Sequence, residues 1–123
     1  MLRKFLKAKI HAATVTRTDL TYEGSIGIDK ALMDAAGILP LESVHVWNST
    51  NGIRLETYAI VSEAGSGDIC LNGAAARLAM PGDTVIIASY CWVEESALPT
   101  HEARIVVVDE KNRLAGTSVK RPA

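Results

Sequence analysis

The sequence predicts a mainly β protein, a small barrel with short helices, and three observations carry that prediction. Short runs of alternating or branched residues recur along the chain, about six or seven of them, each bounded by Gly, Pro, Asn or Asp. Only two brief segments have helical character, so the long amphipathic helices of a layered α/β fold are missing. A length of 123 residues supports one buried core but not two, which makes residues 1–123 a single domain.

Residues 9–16 open with polar and apolar side chains in alternation and are rich in Thr and branched residues, the pattern of a half-buried strand. Lys9 and His11 then share one face. Asp19-Leu20-Thr21 turns the chain, and Ser25-Ile26-Gly27-Ile28 is a short strand running into Asp29, a suitable helix N-cap. The helix covers 30–36, with Gly37 just past its end and Pro40 beyond. Strands at 43–48 and 53–61 flank Ser49-Thr50-Asn51-Gly52, where Asn-Gly signals a hairpin. On the second of them Arg54, Glu56 and Tyr58 point one way while Leu55, Thr57 and Ala59 point the other.

Gly65-Ser66-Gly67 reads as a flexible surface turn into a short strand at 68–71. An alanine-rich short helix at 72–79 follows, and its first backbone N–H groups are free for an anion or oxyanion. Met80-Pro81-Gly82-Asp83 turns into a strand at 84–93, and a last strand lies at 103–108 before a turn at 110–113. The polar tail, 117–123, reads as a fraying end.

A net charge of −1 provides no basic field for a phosphate backbone, so nucleic acid is not an expected partner. No apolar run approaches the roughly 20 residues that cross a bilayer, and the positive start lacks an apolar stretch behind it. The expectation is a cytoplasmic protein without membrane contact. Cys70 and Cys91 lack metal-ligand spacing and have apolar neighbours, so they read as buried free thiols, with no metal site expected.

The chemistry concentrates on Gly24-Ser25, a hydroxyl beside an unhindered glycyl carbonyl. The dipeptide alone says little: with Gly near 7% of residues, roughly 0.6 Gly-Ser pairs are expected by chance, and Gly65-Ser66 is a second. Attack of the Ser25 hydroxyl on the Gly24 carbonyl through a five-membered ring replaces the amide by an ester. Loss of the Ser25 α-proton then expels Gly24 as a carboxylate, and hydrolysis of the resulting dehydroalanine leaves a pyruvoyl group at the new N-terminus. Glycine on the acyl side keeps the carbonyl open and takes a strained angle cheaply. A pyruvoyl ketone does part of the work of pyridoxal phosphate, forming a Schiff base with an amine and accepting electrons on decarboxylation. Cations for substrate carboxylates are then available in Lys9 and Arg54, a proton donor in Tyr58, and oxyanion donors in the amides of Gly73, Ala74 and Ala75.

Lys9-Ile10-His11-Ala12, Tyr22-Glu23-Gly24-Ser25-Ile26, Trp47, Arg54-Leu55-Glu56-Thr57-Tyr58 and Asn72-Gly73-Ala74-Ala75-Ala76-Arg77-Leu78, in this order, resemble the bacterial aspartate decarboxylase family end to end. The resemblance implies a double-psi β-barrel, a homotetramer with sites at subunit boundaries, and conversion of L-aspartate to β-alanine and carbon dioxide for pantothenate synthesis. It also implies a proenzyme that cuts itself at Gly24-Ser25 into 1–24 and 25–123, with a covalent pyruvoyl cofactor from Ser25 and neither pyridoxal phosphate nor metal. Some members are assisted in maturation by an accessory protein.

Carried over by motif, Thr57 would hold the Gly24 carbonyl during processing and later contact substrate. Tyr58 would return a proton to the substrate carbon. Asn72 and the backbone of Gly73, Ala74 and Ala75 would position pyruvoyl and substrate, with His11, Tyr22 and Trp47 in support. Arg54 and Lys9 would bind the two carboxylates. An ion pair to the departing α-carboxylate opposes its loss, so Arg54 is assigned to the β-carboxylate that stays.

Singly, each residue has an ordinary reading. Lys9 and His11 suit a solvated strand face, Tyr58 and Trp47 a core with a hydrogen-bonded tip, and Arg54 beside Glu56 a surface charge pattern. Asn72-Gly73 suits a turn, as does Gly24-Ser25. Two other functions fit the residues: a pyruvoyl decarboxylase acting on another amino acid, and a non-enzymatic barrel whose Gly-Ser bond is never cut.

Overall fold

The computed structural model describes residues 1–122, and the chain is a mainly β small barrel with short helices, as expected. Nine strands form it: β1 Leu2–Thr14, β2 Arg17–Asp19, β3 Ser25–Asp29, β4 Ser43–Asn48, β5 Arg54–Ser62, β6 Ile69–Asn72, β7 Thr84–Glu94, β8 Ala103–Val108 and β9 Leu114–Lys120. Their order is β2-β6-β3-β5-β4-β7-β1-β8-β9, with parallel pairs β2/β6, β3/β5 and β1/β8 among antiparallel ones. Where β1 ends, Thr16 N–H donates to the Ile69 carbonyl, which brings that end of the ladder onto β6. Alternation places Ile10, Ile26, Ile28, Val44, Val46 and Ile87 in one core, each such side chain contributing about 1.5–3 kcal/mol when fully buried.

Among the described residues the single α-helix, α1 Lys30–Ala36, packs Leu32 and Met33 into this core. Its limits are those the sequence predicts: Asp29 Oδ1 accepts from Ala31 N–H at 2.8 Å, and Gly37 stops the helix at φ 74°. The Asn51-Gly52 hairpin is also present, with Gly52 at φ 79° and β4 paired antiparallel to β5.

Several expectations require correction. β1 begins at Leu2, not residue 9, because Leu2 to Leu6 already pair with β7, the pairing running on to Thr14 through register shifts between Leu6 and Ala8, where Lys7 lies, and between Ile10 and Ala13. Lys7 finds partners in the Gly37 carbonyl and Glu42. The tail does not fray from 117: β9 pairs with β8 through Lys120, and only Ala123 of the predicted end lies outside the described residues. The helix near 72–79 is a 3-10 turn, Gly73–Leu78, and a second one, Glu95–Thr100, carries no sequence pattern that predicts it.

The Gly65-Ser66-Gly67 turn is pinned rather than flexible. Asp29 accepts from the N–H groups of Gly65 and Gly67 at 3.0 and 2.9 Å, Ser66 Oγ accepts from Asp68 N–H, and Asn112 Nδ2 donates to the Gly67 carbonyl. Cys70 is buried as expected, but Cys91 is only partly so. Among the described residues, no helix is long and apolar enough to cross a membrane.

Candidate active site

The chain approaches Gly24 through a tight turn. After β2, Asp19 Oδ1 accepts from Thr21 N–H at 3.0 Å and Thr21 Oγ1 at 2.9 Å, an Asx turn that redirects the backbone. Those hydrogen bonds, the side-chain one first, hold the Asp19 carboxyl below the usual carboxylate range. Tyr22, Glu23 and Gly24 are exposed, whereas Ser25, the first residue of β3, is wholly buried. The Gly24–Ser25 bond therefore crosses the protein surface.

Ser25 is register partner of Asn72 across antiparallel β3 and β6. Asn72 Nδ2 donates to Ser25 Oγ at 2.9 Å, and Ser25 Oγ lies 3.4 Å from the Glu23 carbonyl, a long contact. Among the described residues no carboxylate or imidazole hydrogen-bonds to Ser25 Oγ. Asn72 Oδ1 accepts in turn from Cys70 Sγ at 3.2 Å, so Asn72 is satisfied on both sides of its amide. Burial pushes the Cys70 thiol above its ordinary pKa.

Gly73 explains how the segment is held. It sits at φ +65°, and a Cβ there would lie 2.8 Å from both Cα and N of Gly24 and 3.1 Å from the Tyr22 carbonyl oxygen. Only glycine lets the 3-10 turn Gly73–Leu78 pack this close to the bond. Gly24 itself does not have the strained angle the sequence suggests: its φ is outside the left-handed region, and a Cβ on it would meet nothing within 4 Å. The conformational demand falls on Gly73 instead.

Beside Gly24 a cleft of about 320 Å³ is lined by Leu55, Glu56 and Thr57 of β5, by Asn72, and by Ala74, Ala75 and Leu78. Parallel pairing of β3 with β5, Ile26 opposite Ala59, sets this approach. The Asn72 side chain, turned toward Ser25, does not cap the 3-10 turn, which leaves its first N–H groups without a side-chain acceptor.

The fold thus gathers Gly24, Ser25, Thr57, Asn72, Gly73, Ala74 and Ala75. It does not gather the remaining candidates within one chain. Arg54 and Trp47 are cross-strand partners whose guanidinium and ring stack at 4.6 Å, and they line a larger cleft of about 560 Å³ with Lys4, His45, Glu56 and Tyr90. Leu55 and Glu56 border both clefts. Tyr58 is paired with Ser43 and alternates with Thr57, so it faces away from the Gly24 cleft. Lys9 and His11 share one face of β1, as expected, on pairs with Ile105 and Val107 of β8. The Tyr22 ring is exposed, and only its carbonyl contributes to the packing.

Cys70, Leu55, Glu56 and Leu78 were not among the sequence candidates. For Cys70 a signal existed, since it precedes Asn72 by two residues in a strand and so shares its face.

The family model described as aspartate decarboxylase matches residues 1–115. The chain is 59% identical over 112 residues to the aspartate 1-decarboxylase of Legionella pneumophila (strain Lens), covering 91% of this chain and 84% of that one. The aspartate 1-decarboxylase of Dehalococcoides mccartyi is 57% identical over 115 residues, covering 94% and 91%. That of Rhodopirellula baltica is 54% identical over 113 residues, covering 92% and 72%.

Proposed function

The chain belongs to the aspartate decarboxylase family, and from that premise we propose that Gly24–Ser25 is the bond it cuts in itself to become a pyruvoyl enzyme. It converts L-aspartate to β-alanine and carbon dioxide, the reaction that feeds pantothenate synthesis. The observation that carries the self-processing is the pairing of a buried Ser25 hydroxyl with Asn72 at 2.9 Å, directly inside an exposed Gly24.

Ser25 Oγ attacks the Gly24 carbonyl carbon and the amide nitrogen leaves, giving an ester. Removal of the Ser25 α-proton expels the Gly24 carboxylate, and water then replaces nitrogen, releasing ammonia. The residues fit the product. The donor of Asn72 suits a ketone oxygen as well as a hydroxyl, and a substrate-sized cleft begins at Gly24. When present, the pyruvoyl group supplies an amine-reactive ketone and a neighbouring amide that takes up electron density.

The chain's own groups do the rest. Thr57 lines the cleft where it can hold the Gly24 carbonyl, and the amides of Gly73, Ala74 and Ala75 offer donors to developing negative charge. Arg54 takes the retained carboxylate in a two-pronged contact and Lys9 lies near the other. Tyr58 returns the proton to carbon, with His11, Tyr22 and Trp47 in support. Because Lys9, Arg54 and Tyr58 lie away from the Gly24 cleft, the site is completed by a neighbouring copy in a homotetramer. Exposed Leu20, Tyr22, Leu78 and Met80 provide apolar surface for that contact. Among the described residues no base hydrogen-bonds to Ser25 Oγ, and its deprotonation is the step an accessory protein would assist.

Denaturing mass spectrometry after incubation at neutral pH tests the reading. We expect fragments 1–24 and 25–123, the larger one lighter by one ammonia than a serine terminus, and borohydride inactivation in the presence of aspartate. A single intact chain with no β-alanine formed overturns it. Turnover of glutamate or histidine in preference to aspartate overturns the substrate assignment.

A further inference from the structure

One buried nucleophile takes no part in the chemistry above. Cys70 lies on β6 opposite Gly27 of β3, where a Cβ would crowd Ser62 Oγ at 2.9 Å and meet Cys70 Cβ in ordinary contact at 3.6 Å. The thiol is spent inward, 3.2 Å from Asn72 Oδ1, while Asn72 Nδ2 reaches Ser25 Oγ at 2.9 Å. The three side chains form one buried file, with Cys70 1%, Asn72 5% and Ser25 0% exposed.

A carboxamide has two orientations of almost the same shape, and only its partners select between them. Ser25 selects only weakly, because its donor contact to the Glu23 carbonyl is long at 3.4 Å and its hydroxyl can accept from Nδ2 or donate to Oδ1, whereas the sulfur of a thiol is a poor acceptor for an amide N–H. We propose that Cys70 is a positioning residue for Ser25: its S–H fixes the Asn72 carboxamide so that an N–H, and not a carbonyl oxygen, faces the Ser25 oxygen. The choice matters once that oxygen loses its proton: in the ester of the proposed maturation Ser25 Oγ is an acceptor only and would be repelled by Oδ1, as would the later ketone oxygen that water delivers to the former Ser25 Cα. Burial keeps the thiol protonated at neutral pH, so the donor is permanent.

This inference rests on Ser25 being the processing nucleophile, and the test separates the two. The wild type, Cys70→Ala and Cys70→Val are compared for the rate at which the ketone-bearing fragment 25–123 appears, read with an aminooxy probe and mass spectrometry. In parallel, nitrogen-15 NMR of the uncleaved chain reads the Asn72 side-chain amide. Cys70→Ala is expected to slow ketone formation about five-fold, the weight of one modest neutral hydrogen bond, and to split or broaden the Asn72 signals. Cys70→Val, which restores bulk without a donor, is expected to stay impaired in both.

Equal rates and a single Asn72 signal in Cys70→Ala overturn the proposal. So does a wild-type rate with a single Asn72 signal in Cys70→Val, which reports packing alone. If the wild type never cleaves, self-processing is lost while the NMR comparison still decides what Cys70 does to Asn72.

Discussion

Ser25 and Asn72 are register partners on antiparallel strands, and the only side chain that donates to the Ser25 hydroxyl among the described residues is the Asn72 carboxamide, at 2.9 Å. The hydroxyl is therefore both the proposed nucleophile and the acceptor for a buried donor. Removing it has two separable effects. Ser25→Ala should leave an intact chain with no reactive ketone and no β-alanine formation. It should also cost about 1–3 kcal/mol of stability, because Asn72 Nδ2 is left unsatisfied. Mass spectrometry reads the first effect and urea unfolding of the uncleaved chain the second. Cleavage in the variant would remove Ser25 from the mechanism.

Gly73 and Gly24 make a paired test of where the backbone constraint lies. Gly73→Ala forces a Cβ to 2.8 Å from Gly24 at a positive φ, so it should lose about 2–4 kcal/mol from left-handed strain and overpacking together. Processing should slow by at least about ten-fold as the segment shifts. Gly24→Ala places its Cβ in open space and should keep stability within about 0.5 kcal/mol. Equal destabilisation by the two substitutions would show that the packing of Gly73 on Gly24 does not hold the segment.

Arg54 Cζ lies over the Trp47 ring, 4.6 Å from its centroid, and among the described residues the guanidinium makes no salt bridge, which leaves its donors for a carboxylate. Arg54→Lys keeps the charge but loses the fork. KM for aspartate should rise about ten-fold, the equivalent of 1.4 kcal/mol, and β-alanine, which keeps only the retained carboxylate, should weaken in parallel as an inhibitor. Loss of aspartate turnover with unchanged β-alanine binding would move Arg54 to the departing carboxylate.

What the sequence made legible was local. The Asp29 cap, the Gly37 stop and the Asn51-Gly52 hairpin each follow from side chains within a few residues, and each is present. What it hid was set by distant partners. Charged Lys7 sits in a strand because Glu42 and the Gly37 carbonyl receive it, and the 65–67 turn is ordered because Asp29 and Asn112 reach it. No nearby residue announces either contact. The site divides the same way. Thr57 and Asn72 are legible through the family motif that carries them, and the fold brings both to the Gly24 cleft. That Arg54 and Tyr58 stand on another face of the same strand is equally a matter of alternation, and in the proposed assembly a neighbouring copy would bring them to substrate.

Asp68 ties β2, β5 and the turn before β6 together, and its titration should set part of the acid limit of the fold. Its carboxylate accepts from Thr16 Oγ1 at 2.8 Å, Arg17 Nη2 at 3.0 Å and Ser62 Oγ at 2.9 Å. Burial raises its pKa, but the hydrogen bonds from Arg17, Thr16 and Ser62 together outweigh burial and hold it below the ordinary value. A carboxyl whose folded pKa is depressed stabilises the protein above its unfolded pKa, about 3.9, and loses that contribution as pH falls through the lower folded value. Arg17 is 62% exposed, so solvent screens its ion pair, and the stabilisation rests mainly on the two hydroxyl donors. Asp68→Asn should therefore cost about 1–2 kcal/mol at pH 7, with the gap to wild type holding at pH 5 and closing below about pH 4. Urea unfolding of the two uncleaved chains at pH 7, 5 and 3 reads the difference directly. A gap that stays constant down to pH 3 would place the acid sensitivity elsewhere than at Asp68.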